Sequence, residues 1–454
     1  MGIFGVMNMA RQAIFVNQFA LNSTSNNIAN VNTPGYSRER AVLTPSPTEH
    51  TAYGEIGNGV DVETIERLRQ RTLDYQFWNE NAYLGDAETS EKYLREVEGY
   101  FNDLDGTGLS SALDEFWNGW MDLSNNPTDL TRRSQLLEKT RLLTKQFHDK
   151  ASQLGTISRF AQQELQGTAS KINDLARRIA DLNRKIVVTA GSKFKNFTVM
   201  DKRDKLVDEL AKIADIAIED KADGTVNIDL GSFSLVEGVS HQTVKVQRSQ
   251  TSISLVSGEG EALTIQNGSA HSLLTLLNHT IPGIRAKLDA MAKNLVEKVN
   301  AVHKAHYGLD GGTGRDFFNP DFVTADSIQL NGEISKDPNK IAISKDGNSG
   351  DNAGALTISN LKNSQIFNGG SNTFSEYYSS LISEIGQKTS DARNAATEET
   401  SVLHSLENQR QSVMGVSLEE EMVNMVKYQH ALEASSKVIT SADELMQTIL
   451  NIVR

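Results

Sequence analysis

The 454-residue sequence has no cysteine, which excludes disulfides, thiolate metal sites and cysteine nucleophiles together. Proline is scarce at seven residues, so long helices meet few breaks. Positive charge is in deficit: 45 Lys and Arg stand against 58 Asp and Glu, for a net charge of -13. That balance argues against a nucleic acid or an anionic membrane as partner. No run approaches the ~18 apolar residues of a membrane span. The N-terminus lacks the basic start and apolar stretch of a cleavable leader, and Val6 stands where a myristoylation site carries Ser or Thr. Nucleophile-elbow, zinc-protease and dinucleotide-binding motifs are all missing, so the sequence offers no enzyme site and no cofactor. Read this far, the composition suits a cytoplasmic protein. With 38% hydrophobic residues, it can fill ordinary cores in two to four domains.

What is present is organised around the two ends. From Ser417 to Val453, Leu418, Met422, Met425, Leu432, Ile439, Met446, Leu450 and Val453 repeat at four-three spacing, interrupted by Gln429, Ser436 and Asp443. A second stripe, including Tyr428, Val438, Leu445 and Ile449, widens the apolar face. Such a helix wants more than one neighbour. Ser417 and Glu420 predict a capping box at its start, just after Gly415. Near the N-terminus, Ile3, Met7, Ala10, Ile14, Asn17, Leu21, Thr24, Ile28 and Val31 repeat in the same way. That helix ends where Thr33 precedes Pro34-Gly35, in a stretch crowded by Asn26, Asn27, Asn30 and Asn32.

Between the ends, residues 37–62 read as an extended connector with one short hairpin, and helix is expected from Glu63. Trp117 and Trp120 share one helical face with Leu113, Phe116 and Leu123, as in a bundle core. Leu136 to Ile186 keeps one period throughout, with Gly155 and Gly167 as the places for a kink. Alternation then predicts strands at 216–219, 225–229, 232–236, 243–247, 252–256 and 262–265, with Asp223-Gly224 as a hairpin turn. Helix returns at 272–306 with Pro282 near its start. Strands are expected at 328–330, 340–344 and 356–359, followed by helix from Phe374 to Val413.

The expected fold is therefore mainly α with inserted β. A long helical bundle or coiled coil is formed by both chain ends, and small antiparallel β domains are inserted mid-chain. Terminal assembly helices occupy 1–35 and 417–454. A discontinuous helical rod domain takes 36–189, 271–312 and 373–416, leaving a β-rich insert at 190–270 and a second β-rich segment at 313–372.

Three features invite chemistry. His303 and His306 lie one turn apart near Asp310 but lack a third ligand, so helix-end histidines are expected and no metal site is assigned. Asp220, Asp223, Asn227 and Asp229 miss calcium-loop spacing and suit a polar hairpin. Arg132-Arg133 and Arg177-Arg178 read as solvated helix faces.

The run Asn27-Ile28-Ala29-Asn30-Val31-Asn32-Thr33-Pro34-Gly35-Tyr36-Ser37-Arg38 resembles the N-terminal signature of the bacterial flagellar rod, hook and hook-associated proteins. Lys202–Leu210, Gly308–Gly312 with Phe317-Phe318, Gly350–Ala353, Tyr377-Tyr378 and Gly415–Glu421 are similar to the hook-associated members. The resemblance implies a structural protein that polymerises with copies of itself at the distal end of the hook. Its further implied partners are the hook protein, a second junction protein next to the filament, and a flagellar export chaperone. It also implies a place outside the cell in the flagellum, reached through type III export without a cleaved signal. An exported coiled-coil adhesin or effector whose β insert binds a ligand is the alternative.

Overall fold

The computed structural model describes residues 2–51, 54–102, 106–189 and 196–453. Residues 190–195, the start of the expected insert, and Arg454 lie outside them.

The two ends form one arm. Helix α1 (Ile3–Ala29) runs towards the body and α11 (Leu418–Val453) runs away from it, packed side by side. On α1 the expected seam holds, since Ile14, Leu21 and Ile28 are half-buried and Ala10 and Thr24 buried. A second face with Val16, Ala20, Ser23 and Asn27 is buried as well. It is covered by a long hairpin, β1 (Glu39–Pro45) paired with β4 (Val60–Arg67), which encloses β2 (Glu49–Thr51) and β3 (Gly54–Ile56). Expectation and structure differ here. Strand continues to Arg67 because its partner, across a bulge at Val42/Leu43, lies too far away in sequence for a local reading to find.

On α11 the covered face is rotated from the expected one. Met425, Leu432, Ile439 and Met446 are half-buried beside Tyr428, Ser435 and the buried Ala442. Leu418, Met422 and Leu450 stand outside the pair. At 36 residues against 27, α11 also outreaches α1 by about 13 Å.

The body is built on α4 (Leu130–Thr189), a 60-residue helix with no break at Gly155 or Gly167. Helices α2 (Arg71–Phe101), α3 (Leu109–Asn125) and α5 (Phe197–Ile213) pack on it or on each other. α10 (Phe374–Met414) lies along α2. Gly85 permits the close approach of α2 to α5, because a Cβ there would sit 1.9 Å from the Lys212 carbonyl oxygen of α5. Trp117 and Trp120 lie in the core among Phe116, Phe317 and Phe374.

The insert carries a four-stranded antiparallel sheet in sequence order, β5 (Ile216–Asp220), β6 (Val226–Leu230), β7 (Phe233–Glu237) and β8 (Ser240–His241). A separate hairpin, β9 (Val244–Arg248) with β10 (Ile253–Ser257), follows it. The Asp223-Gly224 turn is where expected, with Gly224 at φ +87°. Of the expected strand 262–265, only Ala262 pairs, as a single bridge to Val256.

Helix α6 (Ser269–Thr275) passes through a π turn, Leu276–Thr280, into α7 (Ile281–Lys304). The wider turn precedes Pro282, which has no N–H to donate.

Segment 313–372 is a correction. Its described residues hold isolated bridges, such as Phe318 to Leu330, and no extended strand. The expected strand 356–359 is helical, within α9 (Ala353–Asn360), which follows the short α8 (Gly332–Lys336). Asp351 accepts the Ala353 N–H at 3.0 Å, which satisfies one free donor at the start of a helix that apolar alternation had disguised.

Candidate functional site at the joint of arm and body

The joint is made by the motif that ends α1. Gly35 adopts φ +82°, the left-handed turn that Pro34-Gly35 predicts. Asn27 reads the returning chain in both directions: its amide donates to the Glu39 carbonyl at 2.8 Å, and its oxygen accepts the Glu39 N–H at 2.9 Å. Tyr36 donates its hydroxyl to the same Asn27 oxygen at 2.8 Å. Burial first, then Glu39 and Asp201, raise its pKa and keep it a donor. Asn30 donates to the Asn26 carbonyl and accepts from the Thr33 hydroxyl, closing the helix end. Asn32, Thr33 and Pro34 are exposed.

Beyond the turn, Ser37 is fully buried and donates its N–H and hydroxyl to the two oxygens of Asp201 on α5, at 3.0 and 2.9 Å. Arg38 donates its backbone N–H to the Met414 carbonyl at the end of α10. Its guanidinium reaches Glu420 at 2.7 Å and Glu421 at 2.6 Å on α11. Of the expected capping box, only one half is present: Ser417 accepts the Glu420 N–H at 3.4 Å, while the Glu420 carboxylate is turned to Arg38. Gly415 lies at the break between α10 and α11, donating to the Gln411 carbonyl.

Beneath the joint lies a set of charges that reading by motif missed. Arg67, Arg69, Arg71, Arg203 and Arg410 face Asp74, Asp201, Asp204, Asp208 and Asp220, so the group is neutral as a whole. Asp204 is completely buried and meets Arg67 at 3.0 Å, Arg69 at 3.2 Å and Arg203 at 2.8 Å. Burial pushes this carboxyl up, yet Arg203, Arg69, Arg67 and Arg71 prevail and hold it below the usual range. Asp74 joins Arg69 at 2.7 Å to Arg410 of α10 at 3.2 Å. Asp208 accepts from the Trp78 indole at 2.5 Å and pairs with Arg410 at 3.2 Å. Burial pushes Asp208 up to about 6 despite these cations. Contacts therefore run from Ser37 through Asp201, Arg67, Asp204, Arg69 and Asp74 to Arg410, one helical turn before Met414. The strand that enters the body and the helix that leaves it are fastened at one point.

A signal for this was available. Arg67, Arg69 and Arg71 alternate, which puts extended residues on one face, and Asp201, Asp204 and Asp208 share a helix face.

The other candidates have structural roles. His303 is completely buried, with Nδ1 on the Arg315 carbonyl and Nε2 accepting the Ala342 N–H. Burial lowers its pKa to about 4, so it is neutral. His306 bonds the Val302 carbonyl. Among the described residues, no group of three or more potential ligands is placed to hold a metal. Asp220 receives Arg71 and the Tyr75 hydroxyl, as a hairpin residue packed on α2. Arg177 and Arg178 are solvated beside Asp174. Arg133 corrects the expectation for its pair. It is completely buried, and its guanidinium binds the Pro127 and Ile341 carbonyls at 2.8 and 2.7 Å, joining α4 to the segment after α8.

The two ends that pair as one arm on the helical body carry matches to models of flagellar proteins: residues 7–36 match the flagella basal body rod protein and 408–452 the C-terminal region of the flagellar basal body rod FlgEFG proteins. Residues 94–318 match the flagellar hook-associated protein FlgK helical domain. Flagellar hook-associated protein 1 of Bacillus subtilis is 30% identical over 98% of this chain and 97% of its own length. The Salmonella typhimurium protein of that name is 25% identical over 98% and 99%. In fold, the chain is similar to the flagellar hook junction protein FlgK from Burkholderia pseudomallei, with TM-score 0.68 and 14% identity over 75% of this chain and 100% of that one. The chain belongs to the flagellar hook-associated protein 1 family. These matches favour the structural reading over the adhesin.

Proposed function

We propose that the chain polymerises at the distal end of the hook and forms the junction between hook and filament. The observation that carries this is the uncovered outer face of the arm. Phe4, Phe15, Met422, Val423, Leu445 and Leu450 are exposed on two helices that already cover one another's seam, and Phe4, at 68% exposed, is no isolated case. Sister copies would bury that face as the arms gather at the axis of a tube, with the β insert outside. No described helix is long and apolar enough to cross a membrane, so the arm is read as an assembly element. Hook protein would lie on one side and a second junction protein on the other. An export chaperone would cover α11 before passage through the type III channel to the outside of the cell.

Cells lacking the gene but building hooks provide the test. The full chain restores filaments and motility, whereas a chain without residues 417–454 does not. Motility in cells without the gene overturns the reading.

A further inference from the structure

In the β insert, asparagines on the helices stand in for strands that are not there. Asn173 of α4 donates to the Val244 carbonyl at 2.9 Å and accepts the Val244 N–H at 2.8 Å. Asn278 in the π turn holds Ile253 in the same two ways, at 2.7 and 2.8 Å. Asn183 of α4 does so for Val226. Each amide supplies the donor and acceptor of an absent neighbour, which closes that piece of main chain to anything else.

The edge of β5, the first strand in the order of the four-stranded sheet, is not closed in this way. Lys221 donates its N–H to the Thr225 carbonyl at 2.9 Å, which fixes the alternation along the β5–β6 hairpin. Ala217 and Glu219 bond β6, while Ile216 and Ile218 turn their N–H and carbonyl groups outwards. Among the described residues nothing bonds those groups. They open on a cleft of about 380 Å³ between β5 and α2. Ile216, Ala217 and Ile218 line it in succession, so it follows the edge of the strand, since a sheet face would show only alternate residues. Gln76 and Asn79 of α2 are exposed on the far wall, and their amides make no hydrogen bond among the described residues.

A second open edge lies on β9. Ser249 donates to the Ser252 carbonyl at 2.8 Å, so Lys245 and Gln247 bond β10, and Val244, Val246 and Arg248 face away from it. Asn173 takes Val244, whereas the main chains of Val246 and Arg248 have no partner on that side among the described residues. The two edges differ in charge. Glu219 and Asp220 end β5, while β9 carries Lys245 and Arg248, neither of which meets a carboxylate among the described residues.

We propose that β9 of one copy pairs antiparallel with the open edge of β5 on the next, so that the inserts of neighbouring copies share one sheet. This rests on the assembly reading. With Ile218 opposite Val246, Ile216 meets Arg248, and each of these pairs exchanges two main-chain hydrogen bonds. Glu219 then stands across from Lys245, an opposite-charge pair. Ile218 and Val246 both lean on the core of their own copy, so the register keeps the apolar faces of the two strands on one side. The edges are different surfaces, so the contact is head-to-tail and propagates round a ring or helix. The arm supplies apolar burial at the axis, and the shared sheet fixes neighbours to each other further out.

The absence of cysteine from the chain makes the test direct. In this register positions 219 and 245 form a non-hydrogen-bonded pair, the kind whose side chains come closest, within reach of a disulfide. The full chain carrying Glu219→Cys and Lys245→Cys, assembled on isolated hooks and mildly oxidised, is expected to give a ladder of covalent dimers and larger species on a non-reducing gel. Either cysteine alone is expected to give none, and the dilute secreted chain is expected to stay monomeric. Adding Val246→Pro is expected to abolish the ladder, because it removes an N–H that faces away from β10 and leaves the hairpin's own bonds in place. Circular dichroism of the secreted chains shows that each variant is folded. If the chain with both cysteines is present on hooks without a ladder, or the ladder survives Val246→Pro, the shared sheet is overturned. A photoreactive group on Glu219→Cys identifies the occupant: residues 244–248 of another copy support the proposal, and any other segment or protein overturns it. Absence of the parent chain from hooks is a different result and overturns the assembly reading instead.

Discussion

Ser37 and Asp201, 164 residues apart, are joined by two hydrogen bonds that use both oxygens of one carboxylate. Ser37 is the second residue past the turn that ends α1, and Asp201 lies in the first half of α5, so this pair fixes where the arm meets the body. Asp201→Ala leaves a buried hydroxyl, a buried N–H and part of Arg67 without their acceptor. The expected loss is about 2–4 kcal/mol. Ser37→Ala removes only one bond and is expected to cost about 1 kcal/mol. Denaturant unfolding of the full chain checks both, and equal costs would show that neither the backbone bond nor the Arg67 contact adds to stability.

Asp204 is the centre of the ion group, and its charge is the one that the surrounding arginines need most. Asp204→Asn keeps the shape but leaves Arg203 and Arg69 short of a counter-charge in a buried place. The expected cost is about 3–5 kcal/mol. Its pH dependence has a definite sign. A carboxyl held below its ordinary range stabilises the fold above the unfolded pKa, and that contribution is lost as pH falls through the folded one. The parent is therefore expected to lose its advantage over Asp204→Asn as the solution is acidified below about pH 4.

Asp208 titrates the other way. Its pKa rises to about 6 on folding, so between the ordinary carboxylate range and about 6 the folded chain holds a proton that the unfolded chain has lost. Stability from this group is present at lower pH and fades as pH rises through that window. Asp208→Asn, which still accepts the Trp78 indole, is expected to gain on the parent across it, by at most about 3 kcal/mol. Unfolding curves at a series of pH values measure the difference, and a flat difference would remove Asp208 from the account.

Gly85 is a close approach of α2 to α5, with space for a hydrogen and nothing larger beside the Lys212 carbonyl. Gly85→Ala must push the helices apart and disturb the ion group that both of them carry. Its expected cost is about 3 kcal/mol, against the small gain that alanine brings to an open helix position. Thermal unfolding decides the sign.

Much of the architecture was legible because it is written in period. The helix of 60 residues, the apolar seam of α1 with Ile14, Leu21 and Ile28, and the hairpin at Asp223-Gly224 all follow from spacing and turn chemistry. Short runs were not, since Leu356 to Ser359 alternates like a strand yet lies in α9, whose first residue, Ala353, donates its N–H to Asp351. The face of α11 was misjudged at Met422 and Leu450 because two apolar stripes compete, and the partner that chooses between them is the other end of the chain. Arg133 and the buried ion group were missed for one reason. Charged residues read as solvated unless their partners are visible, and those partners lie on distant segments such as 338–341 and 410.

The arm gives the last prediction. Its helices hold 27 and 36 residues, yet much of α11 is exposed, and the residues of its last turns, 447–452, are exposed throughout. A helix draws most of its stability from packing, so an arm with one face uncovered is marginal in a free chain and firm only among copies. Deleting residues 1–35 and 417–454 from the free chain is expected to remove less far-ultraviolet helical signal than the arm's share of helical residues. The body should still unfold cooperatively, since its core from Trp78 to Ile385 lies inside the retained part. The full share is expected to be measured only when the intact chain is compared in assembled and free forms. A free chain that loses the whole share on truncation would show that α1 and α11 complete each other without sister copies.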